Sequence, residues 1–488
     1  MSDTAAWVQD EMATLNLGHK KRNDRLRLVI GDLAAVPAAS IPGAVGGGRA
    51  EVEATYRLFD NGEVKFEAVL EPHYEATLQR VRQQAVVVLA QDTSEIDLTR
   101  PHQQVRGAGP LGAGSRRGLF VHPLLALTAD GVPLGSLWTK VWTRAEPSGP
   151  RLDQATRERQ RQQTPIEKKE SQRWITGLQQ AHRVAAMAPG TEVIAVADSE
   201  ADIFELLVEG QRGAAAWIVR ACYDRSLQRA EDADAEADAE AATSISQAVQ
   251  AAAVVSTYEV SVRGREPKVA GETRGRHQAR ESRTATVEVR ACTVSLKASR
   301  RPDRQLPVVT VNVVRVQEIN APAGEQSIEW LLLTSLPITT KEEILRVIKT
   351  YSLRWMIELF FRVLKQGCRI EERLFETVER LQRYLAVALI VSWRVLYVTR
   401  MGRDFPDLNC ETVFEPSEWK AVYQVTQKKV PPQTPPTLQA MVRMVAQLGG
   451  YVNRPRDDEP GAETVWKGLQ RMHDMAHCWD LFGPDGRT

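Results

Sequence analysis

Cysteine is scarce in this chain and poorly placed for bonding. Its five cysteines, Cys222, Cys292, Cys368, Cys410 and Cys478, are scattered through 488 residues without a CxxC pair. An odd, dispersed set supplies neither a disulfide framework nor a zinc knuckle, and points to reduced thiols in a cytoplasm. Net charge is nearly absent: 63 Lys and Arg stand against 62 Asp and Glu, leaving +1. That sum does not announce a nucleic-acid binder, so local clusters matter more than the total. Long apolar runs are missing too, and none reaches the roughly 20 residues of a membrane span. The opening stretch, MSDTAAWVQDEMATLNLGHKKR, lacks an apolar core and carries early acids, so neither a signal peptide nor a membrane partner is expected.

What is present is an ordinary globular composition, 43% hydrophobic and 26% charged, long enough for several domains. Residues 1–75 read as helical. They carry the densest basic cluster, Lys20, Lys21, Arg22, Arg25 and Arg27, which is either a solvated face or a helix laid along phosphates. Residues 76–210 alternate in the α/β manner. AVVVLAQDT reads as a strand buried on both faces and ends at Asp92, and the strand in TEVIAVADSEADIF ends at Asp198. Between them, GLFVHPLLALTADG and GVPLGSLWTKVWTR are strands joined by a turn at Asp130-Gly131. Residues 146–165 read as a polar loop, and Glu167–Ala186 as a helix containing KKESQRW. Several strand-like segments over about 211–335 suggest an all-β insertion. Within it, the acidic stretch 230–241 is low in complexity and receives no function, while Arg263–Arg283 is Arg-rich. From about 376 the chain is helical again. In its last segment Val465, Trp466, Leu469, Met472 and His473 recur at a spacing that suits packing on a partner helix.

One stretch inverts the proportions of a surface helix. Stepped at 100° per residue, Tyr351, Arg354, Trp355, Glu358, Arg362 and Lys365 fall within an arc of about 100°. Most of the remaining circumference, from Leu353 to Leu364, is apolar. The spacing predicts a largely buried helix with one carboxylate among cations and aromatics. The plain alternative is a salt bridge from Glu358 to Arg354 or Arg362.

Asp92 and Asp198 give that carboxylate a context. Each closes a strand predicted to be central and parallel, and in open α/β sheets sites form at the carboxyl ends of strands. Singly, each is as well explained as a cap or turn residue. Together with Glu358 they would repel: two carboxylates about 4 Å apart cost roughly 4 kcal/mol at an effective dielectric near 20. Three must take up protons or hold divalent cations. Two ions about 3.5–4 Å apart suit in-line displacement at a phosphodiester, and oxygen ligands favour magnesium or manganese over zinc. Arg354, Arg362 and Lys365 would then hold backbone phosphates, Tyr351 a phosphate or sugar, and Trp330 would offer a stacking face to an unpaired base.

These features resemble the DDE cut-and-paste transposases of the insertion-sequence-four, Tn-five-like group. The resemblance rests on QDT after AVVVLA, on AVADSEADIF, and on WLLLTS followed by Y-x2-R-x3-E-x6-K. It implies an α/β fold: an RNase H-like catalytic core (76–375) with the β insertion, an end-binding helical domain (1–75) and a helical C-terminal dimerisation domain (376–488). It also implies Mg2+-dependent cleavage at transposon ends, with Mn2+ able to substitute and two ions per active site, a hairpin intermediate, and strand transfer into target DNA by a homodimer. Asp92, Asp198 and Glu358 match the metal ligands. Tyr351, Arg354, Arg362 and Lys365 match end-DNA contacts, Trp355 shares their stripe, and Trp330 matches the residue that holds a flipped base. A cytoplasmic, nucleoid-associated bacterial protein is expected. The acidic stretch at 230–241 and the fewer aromatics on the final helix depart from the group's pattern. Two alternatives stand beside it: an RNase H-like nuclease that cuts without joining, and a non-catalytic DNA-binding descendant.

Overall fold

A computed structural model describes residues 5–46, 48–100, 102–112, 114–146, 153–228, 242–262, 281–302, 304–325, 327–454 and 457–484. The acidic stretch 230–241 and nearly all of the Arg263–Arg283 stretch lie outside the described residues.

Five helices come first: α1 (Ala6–Glu11), α2 (Lys20–Ala35), α3 (Ile41–Ala44), α4 (Arg49–Asp60) and α5 (Phe66–Arg82). Strands β1 (Val86–Gln91), β2 (Ser94–Asp97), β3 (Gly109–Pro110), β4 (Arg117–Thr128) and β5 (Pro133–Trp142) follow. Then come α6 (Gln154–Gln163), α7 (Gln172–Met187), β6 (Glu192–Ala197), α8 (Phe204–Glu209), β7 (Ala216–Arg220) and α9 (Ile245–Ala251). The chain continues with β8 (Val254–Val262), β9 (Arg283–Leu296), β10 (Val309–Glu318), β11 (Glu329–Thr334), α10 (Lys341–Ser352) and α11 (Trp355–Arg362). It ends with α12 (Val378–Asp404), α13 (Pro416–Gln427), α14 (Leu438–Leu448) and α15 (Ala462–Phe482). These elements form two compact units, one made of Met1–Gly149, Ala188–Thr191 and Trp355–Thr488, the other of Pro150–Met187 and Glu192–Arg354.

In the first unit β4 is the hub, antiparallel to β1, β2, β3 and β5. The hairpin to β5 turns at Asp130-Gly131, where Gly131 has φ +91°, a left-handed conformation that suits glycine. The β-branched run of β1 is buried as expected. Its pairing with β4 is antiparallel, however, so Asp92 does not close a parallel strand on that side. A continuous apolar run reports burial on both faces and says nothing of a neighbour's direction.

Helix α12 is apolar and long enough to match a membrane span, yet most of it is buried in this unit against α2, α4, α5, α14, α15 and β5. Its charges end on protein groups. Arg383 donates to the carbonyls of Phe59 and Val64, each at 2.8 Å, and Arg394 to that of Val413 at 2.8 Å. Near its middle, Glu11 is held in a buried network. Arg80 donates to both its carboxylate oxygens at 2.8 and 2.9 Å, and His73 Nδ1 stands 2.5 Å away. His73 Nε2 accepts the Ser136 N–H at 2.9 Å, which leaves the ring proton on Nδ1 for Glu11. The Arg80 guanidinium lies 4.6 Å over the Trp393 ring.

The C-terminal helices build their own core. Val465, Trp466, Leu469 and Met472 are buried there with Trp419, Met441 and Val445. The stripe expected to meet a partner helix therefore packs within the chain, and His473 stays exposed. Periodicity defines an apolar face without naming its occupant.

In the second unit β6 and β7 are parallel, and β11, β10, β9 and β8 extend the sheet from β7 with antiparallel pairing. β7 therefore belongs with the α/β alternation, and the insertion begins after it. The two-turn helix α9 stands within that insertion, its N-cap Ser244 accepting from the Gln247 N–H. The polar stretch read as a loop is in part α6, capped by Asp153 Oδ1 on the Thr156 N–H at 2.9 Å. It has no buried residue, so propensity and a cap form it without an apolar face.

The Tyr351–Lys365 stretch is not one helix. α10 opens on a capping box between Thr340 and Glu343 and ends at Ser352. The Leu353 and Arg354 N–H groups reach back only three residues, to the Thr350 and Tyr351 carbonyls. α11 follows, and residues Val363–Gly367 widen into a π-helical turn. A uniform 100° step fails on both sides of α11, so the six residues do not share one straight stripe. The burial of Met356, Ile357, Phe360, Phe361, Val363 and Leu364 is as expected.

Candidate active site

Asp92 follows the last residue of β1, and its Oδ1 accepts the Thr93 N–H at 2.7 Å. Both neighbours of Asp92 are tied to one side chain. His122, fully buried on β4, has Nδ1 2.8 Å from Thr93 Oγ1 and Nε2 3.2 Å from Gln91 Oε1. Its ring meets the edge of Trp138 at 5.9 Å. Sequence reasoning passed over His122; the signal was a lone polar ring inside the apolar run of FVHPLL. Glu358, partly buried, sits on α11, which packs against β1 within the same unit. The structure thus brings together the elements that carry Asp92 and Glu358.

Three other residues of the expected stripe stand in this unit. Lys365, on the π-turn, is 3.5 Å from Glu371, whose carboxylate also accepts the Asp97 N–H at 3.0 Å. Arg362 and Trp355 are exposed, Trp355 to 58%.

In the second unit Asp198 follows β6 and caps a 3-10 turn, Ser199–Ala201, through Oδ1 and the Glu200 N–H at 2.9 Å. The capping role is real and occupies one of its two oxygens. Tyr351 is buried under Trp330, the two rings edge to face. Burial pushes the Tyr351 hydroxyl upward in pKa; Arg354 and Arg220 beside it pull downward, and the Asp198 carboxylate pushes upward again. Arg354, Arg220 and Asp198 therefore all stand near enough to act on the Tyr351 hydroxyl. Arg220, the charged end of β7, was not anticipated.

The N-terminal cluster separates into two kinds. Lys20 and Lys21 are exposed. Lys21, Arg22 and Arg25 line a shallow pocket with Arg57 of α4, another cation that the sequence pattern did not single out. Arg22 also donates to the Leu17 carbonyl at 3.2 Å. Arg27 is mostly buried, donates to the Met12 carbonyl at 2.9 Å and pairs with Asp24 at 3.7 Å. It ties α2 back to the end of α1.

Three family models match the chain: transposase DNA-binding over residues 4–64, transposase DDE domain over 156–394, and transposase Tn5 dimerisation domain over 390–478. The chain has the domains of a DDE transposase. The DDE region of this transposase contains β6, Asp198, the insertion, α10 and Glu358, within a mixed α/β, RNase H-like fold with helical termini. A piggyBac transposase synaptic complex with hairpin DNA aligns with 82% of the transposase and 72% of its own chain, at 9% identity and a TM-score of 0.34, too low to bear on either fold or function.

DDE domains work with divalent metal ions. Among the described residues no group of three His, Cys, Asp or Glu side chains stands close enough to enclose one. The acids that match the motif are all carboxylates, and an all-oxygen donor set suits Mg2+.

Proposed function

We propose that this transposase belongs to the insertion-sequence-four, Tn-five-like group and moves its element by cutting and pasting. The observation that carries the reading is the packing of α11, with Glu358, against β1, whose end presents Asp92. In this reading Asp92, Asp198 and Glu358 are the carboxylates that hold two Mg2+ ions, with Mn2+ able to substitute. Bound metal would supply an activated water or 3′-OH and stabilisation of the leaving oxygen. The protein's own part is positional. Arg354, Arg362 and Lys365 hold backbone phosphates of the transposon end. Tyr351 is oriented by burial and by Arg354, and Trp330 gives an unpaired base a face to stack on. Residues 1–75 recognise the inverted repeats, and Lys20, Lys21, Arg22 and Arg25 follow the phosphates. Cleavage passes through a hairpin, and the freed 3′-OH ends are joined to target DNA by a homodimer in a synaptic complex. A bacterial cytoplasm with access to the nucleoid is the setting.

The test uses purified protein and DNA ending in the inverted repeats that flank its coding region. Cleavage is expected only with Mg2+ or Mn2+. Asp92→Ala, Asp198→Ala and Glu358→Ala should each abolish it while leaving end binding intact. Full cleavage by any of the three would falsify the assignment. A product covalently joined to target DNA separates a transposase from a nuclease that only cuts.

A further inference from the structure

The second unit carries a cationic cleft that the proposed chemistry does not use. It opens between α6 and the turn at Arg300–Pro302, with Arg157, Arg161, Lys169, Arg300 and the ring of Tyr223 on its walls. These cations come from three separated stretches of chain, and none forms an ion pair with a described residue. The adjacent Arg301 is different: Glu205 grips it at 2.6 and 2.9 Å. Glu158 is the one carboxylate among the described residues of the wall. Tyr223 is 58% exposed, with the Arg225 guanidinium 5.4 Å over its ring.

The cleft also leads somewhere. Arg161, Lys169 and Tyr223 line a second hollow that reaches Ser199 and Glu200, the residues directly after Asp198. Arg220 of β7, Arg354 after α10 and Asp198 all act on Tyr351, near the end of α10. The α6 cleft and the Arg220–Arg354 group thus approach the same strand end, and the hollow between carries Glu170, Glu200 and Asp202 as well as Arg161, Lys169 and Arg173. Cations on long side chains with one exposed aromatic ring suit a backbone contact that tolerates any base sequence.

We propose that the cleft between α6 and the Arg300 turn is the binding track for target DNA, the second duplex that the joining step requires. The inference rests on the transposase reading above. It assigns the Tyr351 and Arg354 side of Asp198 to the transposon end and the α6 side to the DNA that receives it. Target DNA has no fixed sequence, which matches a wall that offers charge and stacking without a set of buried base-reading groups.

The experiment uses the full chain, pre-cleaved transposon ends, Mg2+ and a supercoiled plasmid as target, with wild type run in parallel. The triple variant Arg157→Ala/Arg161→Ala/Arg300→Ala should join ends to the plasmid about 10-fold less than wild type or worse, with a shallower salt dependence of joining. Its end binding, and its cleavage of ends that still carry flanking DNA, should stay within about twofold, since only the grip on the second duplex is removed. The matching triple with Lys at all three positions keeps the charge and should keep most of the joining, which separates loss of charge from loss of fold. Unchanged joining by the Ala triple beside an active wild type overturns the proposal. So does reduced cleavage of flanked ends with normal joining of pre-cleaved ends, which assigns the cleft to flanking donor DNA. A wild type that neither cuts nor joins instead refutes the transposase reading, and this inference with it.

Discussion

The Tyr351 ring lies edge-on to Trp330, with centroids 5.7 Å apart and planes at 68°. Tyr351 is only 5% exposed, so its bulk fixes where the indole can sit. Trp330→Ala is expected to leave end binding nearly intact and to slow hairpin formation by roughly 5- to 150-fold, the value of one base stack at about 1–3 kcal/mol. A fluorescent base analogue next to the cut should lose its unstacked signal in that variant. Normal hairpin kinetics would remove Trp330 from the reaction.

Glu11 yields a stability prediction with a definite sign. Burial raises its pKa, but the His73 and Arg80 contacts prevail and bring it from 4.5 down to about 2. The folded chain therefore holds this proton less tightly than the unfolded one. The contribution is fully present above about pH 4.5 and is lost as pH falls toward 2, on the order of 3 kcal/mol in all. Urea unfolding of wild type should show that loss between these limits. Glu11→Gln should already be destabilised at pH 7 and show a flatter acid limb.

His122 is expected to act on metal affinity without touching metal, because it braces Gln91 and Thr93 on either side of Asp92. His122→Leu should weaken Mn2+ binding about 10- to 100-fold by calorimetry, the usual scale for a group behind a ligand. Cleavage should recover in part at high Mn2+. Wild-type Mn2+ affinity in the variant would leave His122 with a packing role only.

The two kinds of cation on α2 should separate in solution. Replacing Lys21, Arg22 and Arg25 with Ala should weaken end binding and reduce the slope of log K against log salt by about 0.9 for each phosphate no longer neutralised. Arg27→Ala should instead lower stability by about 1–2 kcal/mol, because its charged hydrogen bond to the Met12 carbonyl is lost, with the salt slope unchanged. An unaltered slope in the triple variant would make that face merely solvated.

Much of this architecture could be read from residues alone, and the failures share causes. The β1 and β6 runs announce buried strands because β-branched side chains leave few alternatives, so the positions of Asp92 and Asp198 at strand ends were legible. The antiparallel pairing of β1 with β4 was not, since both pairings bury the same residues. The Tyr351–Lys365 stretch has no Pro or Gly before Gly367, so nothing local marks the break after Ser352 or the π-turn. α6 was missed because it lacks an apolar face. The α15 stripe was visible, but its occupant proved to be the chain's own core. His122 was hidden because one polar residue in an apolar strand is ordinarily an accommodation of packing.

The Glu11 network also sets a rule for recombining such enzymes. Exchanging end-binding segments between relatives is the natural route to new end specificity, and a junction near residue 75 looks convenient. Such a cut takes Glu11 and His73 from one parent and Arg80 and Trp393 from the other. A mismatched partner would strand a carboxylate that is 4% exposed, and a buried charge left alone is among the costliest errors a chimera can contain. A junction after Arg82 keeps Glu11, His73 and Arg80 from one parent, leaving the Trp393 face and the β5 backbone at Leu134 and Ser136 to be matched. The unit of inheritance for end recognition is thus longer than the segment that touches the ends.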